Sequence, residues 1–370
     1  MTDEYREIRP FSDQELPSIL KELEEDQSFH EILYKLSNRE LNVRQISKKF
    51  SEIFSNVNSI QAFQSILAPF VEQIVEKTTS NFSFSGAENI SGSPTLFISN
   101  HRDIALDSLF LNLILYKKGF KTARIAIGDN LLDGGYLEKV MKLNKSFVVH
   151  REPFGFKETI KVISRLSSYI NNSLTSDNES IWISQKEGRA NDGWDLTDLA
   201  VLKMLYFTNK KNFSIQEWLS KVNIIPVSIS YEYDPLDILK ASRLLNSNES
   251  KKLEISDDNN QDILEGIVGQ KGKVHLSFGK KIALKIDSLE TLKISLDKAI
   301  IKGYKLWPSN VCAAKYLKIL DSKEKEIEIN FTKEYEKNFF QRFEDLDSKI
   351  LDKVLHIYAA PVLNKLQNQD

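Results

Sequence analysis

Apolar positions fall into three regimes along the 370-residue chain. From residue 12 to about residue 80 they recur three and four apart, with Leu16, Ile19, Leu20 and Leu23 on one face, which predicts helices. Ser12 and Glu15 have capping-box spacing at the start of the first, and Pro17 leaves its opening turn undecided. Between residues 95 and 280 the pattern changes to short apolar runs separated by amphipathic stretches, as alternating strands and helices require. The predicted strands are Leu96–Ser99, Ala123–Ile127, Ser146–Val149, Ile181–Ser184, Ile224–Ile229 and Val274–Phe278. Polar Asn246–Gln261 predicts a surface loop. From about Ser288 the helical period returns in charged sequence, including Phe339, Phe343, Leu346 and Ile350. No internal repeat interrupts this order. The expected fold is α/β, a mixed, largely parallel sheet flanked by helices. Its core spans 86–285, between a helical N-terminal region (1–85) and a helical C-terminal extension (286–370).

Composition narrows the function classes. A hydrophobic content of 41% fills a real core, and charges balanced to a net −2 exclude a uniformly basic nucleic-acid binder and an acidic disordered tail. Cys312 is the only cysteine, so no internal disulfide forms; it reads as a buried structural thiol in a reducing, cytoplasmic compartment. Met1–Pro10 carries five charged side chains and no apolar run, unlike a signal peptide. The most apolar stretch, Ala105–Tyr116, falls short of the roughly 20 residues that cross a bilayer, and Asp107 and Asn112 interrupt it. A protein of this composition acting on lipids would work from the membrane surface.

Chemistry concentrates at the ends of the predicted strands, where ligands sit in open α/β sheets. The sharpest segment is Leu96 to Asp107 (LFISNHRDIALD), a buried run entering a cluster of His101, Asp103 and Asp107. A histidine oriented by a carboxylate takes a proton from a hydroxyl and makes it nucleophilic. The same residue types also fit a surface loop whose Asp caps the next helix. His101-Arg102-Asp103 spells the start of a protein-kinase catalytic loop, but Ser108 stands where that loop needs Asn, and neither a DFG triplet nor a Gly-rich phosphate loop occurs.

Three further segments repeat the design. Asn144–Pro153 (NKSFVVHREP) sets His150 and Arg151 after a buried run, a place for an anion. Ile181–Arg189 (IWISQKEGR) ends in Lys186, Glu187, Gly188 and Arg189, where Gly permits close backbone approach and Arg offers a fork suited to phosphate. Each also reads as an ordinary surface turn. Ile224–Glu232 (IIPVSISYE) puts Pro226 inside an apolar run, which predicts an edge strand or a bulge.

These four segments, in this order, resemble the four motifs of the glycerol-3-phosphate and lysophosphatidic acid acyltransferases, over roughly residues 90–280. Asn100-His101 resembles the opening of the first motif, Asn-His followed by four residues and Asp. Here Asp107 lies six positions after His101 and Asp103 only two, so either could be the partner; Asp107 is favoured because it starts an apolar helical stretch, as the family Asp does. Arg151 resembles the Arg that ends the second motif. Lys186-Glu187-Gly188-Arg189 resembles Pro-Glu-Gly-Thr-Arg, with Lys for Pro and without Thr. Ile225-Pro226-Val227 matches the fourth. The chain as a whole resembles bacterial members that carry Asn-His-Arg-Asp.

The resemblance implies an O-acyltransferase of phospholipid biosynthesis, peripherally bound to the membrane and moving a fatty acyl chain from acyl-CoA or acyl carrier protein to a lysophospholipid or glycerol phosphate, most of all 1-acylglycerol-3-phosphate. His101 and Asp107 would be catalytic. Asn100, Arg102, Arg151, Lys186, Glu187, Gly188, Arg189 and Pro226 would line the substrate site, with Arg151 and Arg189 on the phosphate. No metal and no tightly bound cofactor is expected, since the five histidines lack ligand spacing such as HExxH. Two other readings fit the same segments: an acyltransferase for another acceptor, and a noncatalytic lipid-binding or membrane-tethering protein of this fold.

Overall fold

The structure, a computed structural model, describes residues 3–36, 43–132, 134–151, 155–246, 255–320, 327 and 329–368. Four helices open it: α1 (Leu16–Glu25), α2 (Gln27–Leu36), α3 (Val43–Phe54) and α4 (Ile60–Thr78). Strands and helices then alternate through β1 (Thr79–Ser85), β2 (Thr95–Ser99), α5 (Leu106–Lys117), β3 (Arg124–Gly128), α6 (Tyr136–Leu143), β4 (Ser146–Val149), α7 (Phe156–Thr175) and β5 (Ile181–Ser184). Helices α8 (Leu199–Tyr206) and α9 (Ile215–Lys221) precede β6 (Asn223–Tyr231), and α10 (Asp237–Asn246) and α11 (Ile255–Val268) precede β7 (Gly272–Phe278). The chain closes with α12 (Leu289–Gly303), α13 (Pro308–Tyr316), α14 (Lys333–Gln341) and α15 (Ser348–Gln367).

Seven strands pair in the order β1-β7-β6-β2-β5-β3-β4. The β1–β7, β2–β6, β3–β4 and β3–β5 ladders are parallel, and β6–β7 is antiparallel. The fold is therefore α/β with a mixed, largely parallel sheet, as the alternation of apolar runs predicts. Parallel strands covered on both faces read as continuous apolar runs. Thr95–Ser99 is such a run, buried at all five positions.

All six predicted strands are present, β4 and β5 at the predicted residues. Strand β1 was not foreseen: its sequence TSNFSFS is polar and its burial does not alternate, so neither strand pattern marks it. Pro226 was expected at an edge or a bulge, yet β6 lies between β7 and β2. The ladders explain this, because Ile98 is the Pro226 partner in β2 and the β7 ladder begins only at Val227. The Pro226 carbonyl accepts from Gly279 N at 2.8 Å, just beyond β7. The expected loop Asn246–Gln261 is also corrected, since α11 starts at Ile255; residues 247–254 lie outside the described residues. Phe339, Phe343, Leu346 and Ile350 do not share one helix, because the chain leaves α14 after Gln341 and Asp347 caps α15 through Lys349 N at 2.8 Å.

The chain packs as two compact units, one of residues 1–74 and 112–182 and the other of 75–111 and 183–370. The first has its core where Leu16, Leu20 and Leu23 of α1 meet Phe29, Phe50, Phe63 and Leu143. Burying a side chain of that size contributes roughly 1.5–3 kcal/mol. The second holds a cluster around Val311, Cys312, Phe339, Val354 and Tyr358, and burial pushes the Cys312 thiol up to about 12, which keeps it an inert thiol. No helix among the described residues is long and apolar enough to cross a membrane.

Candidate active site

In the second unit β2 delivers the chain into a turn held almost wholly by side chains. Asn100, fully buried, binds the main chain of β6 in both directions: its Nδ2 donates to Ile229 O at 2.9 Å and its Oδ1 accepts from Ile229 N at 2.8 Å. That amide fixes where the strand ends. His101 follows, with Nδ1 at 2.9 Å from Asp107 Oδ2. The same oxygen accepts from Arg102 N at 2.6 Å and Asp103 N at 3.1 Å. The other oxygen, Oδ1, accepts from the Tyr231 hydroxyl at 2.7 Å. Burial, reinforced by the Asp107 charge, holds the Tyr231 phenol well above its ordinary range, so it remains a donor.

Of the two acidic residues flagged after His101, Asp107 makes the contact. Asp103 turns the other way and its Oδ1 accepts from Ala105 N at 3.0 Å and Leu106 N at 2.8 Å, capping α5. A β-carbon added at Gly266 of α11 would come within 2.4 Å of Asp103 Oδ2, so only glycine lets α11 approach this turn so closely. Burial raises the Asp103 carboxyl above its ordinary value, and the Asp107 charge adds to that.

Arg102 points inward, into a buried ion pair with Asp195 and a 3.1 Å bond to Gly193 O. Its carbonyl accepts from Lys240 Nζ at 2.7 Å, and Lys240, 1% exposed, also pairs with Asp234 at 2.5 Å. The third segment is joined to the first by main-chain bonds, Gln185 N to Ser99 O at 2.7 Å and Ala190 N to His101 O at 2.8 Å. Gly188 has φ +72°, yet an added β-carbon would meet nothing within 4 Å. Glycine suits the left-handed backbone there. Lys186 Nζ donates to Trp194 O at 3.0 Å, and Glu187 is exposed. Arg189 Nη2 lies 2.7 Å from the Asp262 carboxylate, which also pairs with Arg243 at 2.5 Å.

Residues 81–230, the stretch holding the first three segments whole and most of the fourth, match the family model of the acyltransferases. These residues form an acyltransferase domain. The family reading made from the four segments is thereby borne out. The chain is similar to a solved structure titled as the 1-acyl-sn-glycerophosphate (LPA) acyltransferase PlsC from Thermotoga maritima. The two are 14% identical, over 74% of this chain and 85% of that one, with a TM-score of 0.37. At that distance the likeness says nothing of substrate. No curated protein matches the sequence.

The second segment belongs to the first unit. His150 Nδ1 lies 3.0 Å from Asp129 Oδ2, and Arg151 N donates to Asp129 Oδ1 at 3.1 Å. A β-carbon on Gly128 would meet Arg151 Nε at 2.3 Å, so the guanidinium lies against the end of β3. Pro226 packs within β6, where a β-carbon on Gly279 would meet its Cγ at 2.8 Å. Among the described residues no group of three or more His, Cys, Asp or Glu side chains could hold a metal.

Several partners escaped the sequence reading. Tyr231 and Asp129 stood at flagged strand ends and were legible there as polar residues after apolar runs. Asp195, Lys240, Arg243 and Asp262 carried no local signal, because their role depends on which distant turn they meet.

Proposed function

We propose that the protein transfers a fatty acyl chain from an acyl thioester to the free hydroxyl of 1-acylglycerol-3-phosphate or a close relative. The observation that carries this is the 2.9 Å approach of Asp107 to His101 Nδ1 in a domain of the acyltransferase family. An Nδ1–H donated to Asp107 leaves the lone pair on Nε2, the nitrogen that takes a proton from a hydroxyl. That oxygen attacks the thioester carbonyl, the C–O bond forms and the C–S bond breaks, and the proton passes from His101 to the departing thiolate. Asp107 holds the tautomer and stabilises the imidazolium. His101 is 13% exposed at its side chain, open enough to meet a substrate yet largely shielded from water. No acyl-enzyme is required. On this reading residues 86–285 are the catalytic core, Asn100, Arg102 and Lys240 are positioning groups, and Arg189 meets the acceptor's phosphate.

Tyr231 follows as a positioning residue for Asp107. Losing one such bond typically costs about 1 kcal/mol, so Tyr231→Phe should slow turnover roughly five- to tenfold while KM for the thioester stays the same. Unchanged kcat in a folded Tyr231→Phe protein would remove Tyr231 from the mechanism.

One observation favours a second reading. Asp262 already binds Arg189, which would suit an acceptor without a phosphate. The deciding experiment is thiol release from palmitoyl-CoA with and without lysophosphatidic acid, followed by lipid analysis. Acceptor-dependent release with phosphatidic acid formed is the expected result. Release only with a non-phosphorylated acceptor would establish the second reading, and lipid binding without release from any thioester would leave the noncatalytic one.

A further inference from the structure

Asp262 is 1% exposed and holds two guanidiniums at once. Its Oδ2 accepts from Arg189 Nη2 at 2.7 Å and from Arg243 Nη1 at 2.5 Å, and its Oδ1 accepts from Arg243 Nη2 at 3.0 Å. The three side chains together carry one net positive charge. Arg189 Nη1 is buried without a hydrogen-bond partner among the described residues. Buried donors in folded proteins are almost always paired, so an unpaired one marks a place where an oxygen belongs. A carboxylate has two oxygens to offer this cluster, whereas a phosphate monoester has three and up to two negative charges. Arginine forks suit both anions, but only the second could neutralise both guanidiniums and reach the unpaired nitrogen.

The cluster is tied to the His101 turn in two ways. Arg189 precedes Ala190, whose N–H donates to His101 O. Asp262 and Gly266 lie four apart, on one face of α11, and Gly266 is the position that abuts Asp103. The helix that supplies the carboxylate therefore rests on the same turn that presents His101.

We propose that Arg189 and Arg243 together form a phosphate-monoester site, and that Asp262 occupies it in the ligand-free protein as an internal anion that the ligand displaces. The inference deepens the acyl-acceptor reading above and rests on it for the identity of the natural ligand. Arg243 becomes a specificity residue for the phosphorylated headgroup. Asp262 sets the threshold, since a neutral headgroup cannot compete with it for the two arginines.

The test is equilibrium binding to the full chain, with sn-glycerol 3-phosphate, inorganic phosphate and glycerol as probes and no thioester present. Because no turnover is read, failure of this site and failure of acyl transfer are separate results. Removing the resident anion in Asp262→Asn should tighten glycerol 3-phosphate about tenfold or more, and Arg243→Ala should weaken it by a similar factor, as loss of charge-assisted bonds does. Glycerol should bind to neither. Asp262→Asn removes the carboxylate that both guanidiniums share and lowers stability, so its melting temperature should be measured with each probe. A larger rise with glycerol 3-phosphate than the wild type shows supports displacement by linkage. Arg243→Ala keeps the Arg189–Asp262 pair and tests the site even if Asp262→Asn does not fold. Unchanged affinity in Arg243→Ala, equal or weaker affinity in folded Asp262→Asn, or binding of inorganic phosphate alone would each overturn the proposal.

Discussion

Purified His101→Ala should lose about 10²–10⁴-fold in acceptor-dependent thiol release, the range that general-base catalysis contributes, while its fold and its affinity for the thioester persist. The His101 ring sits at the end of a fully buried strand, its Nδ1 is taken by Asp107, and its main-chain carbonyl is bonded to Ala190 N. Truncating the ring removes none of the main-chain bonds, so the turn survives and the loss is kinetic. A folded His101→Ala protein that turned over lysophosphatidic acid at the wild-type rate would end the acid–base assignment. Thermal melting and far-UV circular dichroism alongside the rates separate that outcome from simple unfolding.

The second large effect distinguishes the two carboxylates. Asp107→Asn should cost about as much as losing a general base, on the order of 10²–10⁴ in kcat, although the side chain nearly keeps its shape. An amide can turn its oxygen toward His101, Arg102 N and Asp103 N and its nitrogen toward the Tyr231 oxygen, so the bonds re-form but the charge that stabilises an imidazolium is gone. Asp103→Asn should behave in the opposite way. Asn caps a helix as well as Asp, so α5 keeps its start and activity stays near wild type. Stability then reports the buried charge. Burial raises the folded-state Asp103 carboxyl above 3.8, so the fold favours its protonated form, and the ionised form penalises the fold above that raised value. Relative to wild type, Asp103→Asn should gain stability at neutral pH, and the gain should fade as pH falls through the raised folded value and be gone below 3.8, where both states of the wild type are protonated. A pH-independent difference in melting temperature, or a large loss of activity, would show that Asp103 does something other than cap α5.

The sheet was readable because its strands are apolar on both faces. Val148 and Trp182 sit in runs with no polar alternation to confuse, and the boundaries of β4 and β5 coincide with those runs. Strand β1 shows the limit. Thr79, Ser80, Asn81 and Ser83 give no period, and pairing with β7 alone makes that segment a strand. Asn246–Gln261 shows another limit, since the polar residues of α11 look like a loop until Asp262 is seen holding two arginines. His101 and Asp107 were readable because they are local to one turn. Arg102 pairs with Asp195, ninety-three residues on, and nothing near it in sequence announces that partner.

The oxygen that Asp107 presents to three donors makes the intervening turn a closed ring, and a ring of that kind tolerates a change in circumference. Counting five residues on from His101, as the family pattern does, reaches Leu106, a side chain with no exposed surface and nothing to offer an imidazole. The extra residue is absorbed because Asp107 grips the backbone of Arg102 and Asp103 as well as the ring nitrogen. Acyltransferases with a lengthened first motif should therefore be sought by a spatial criterion, a carboxylate oxygen bonded at once to an imidazole and to the two peptide groups after it. A search written as a string of letters will pass over them.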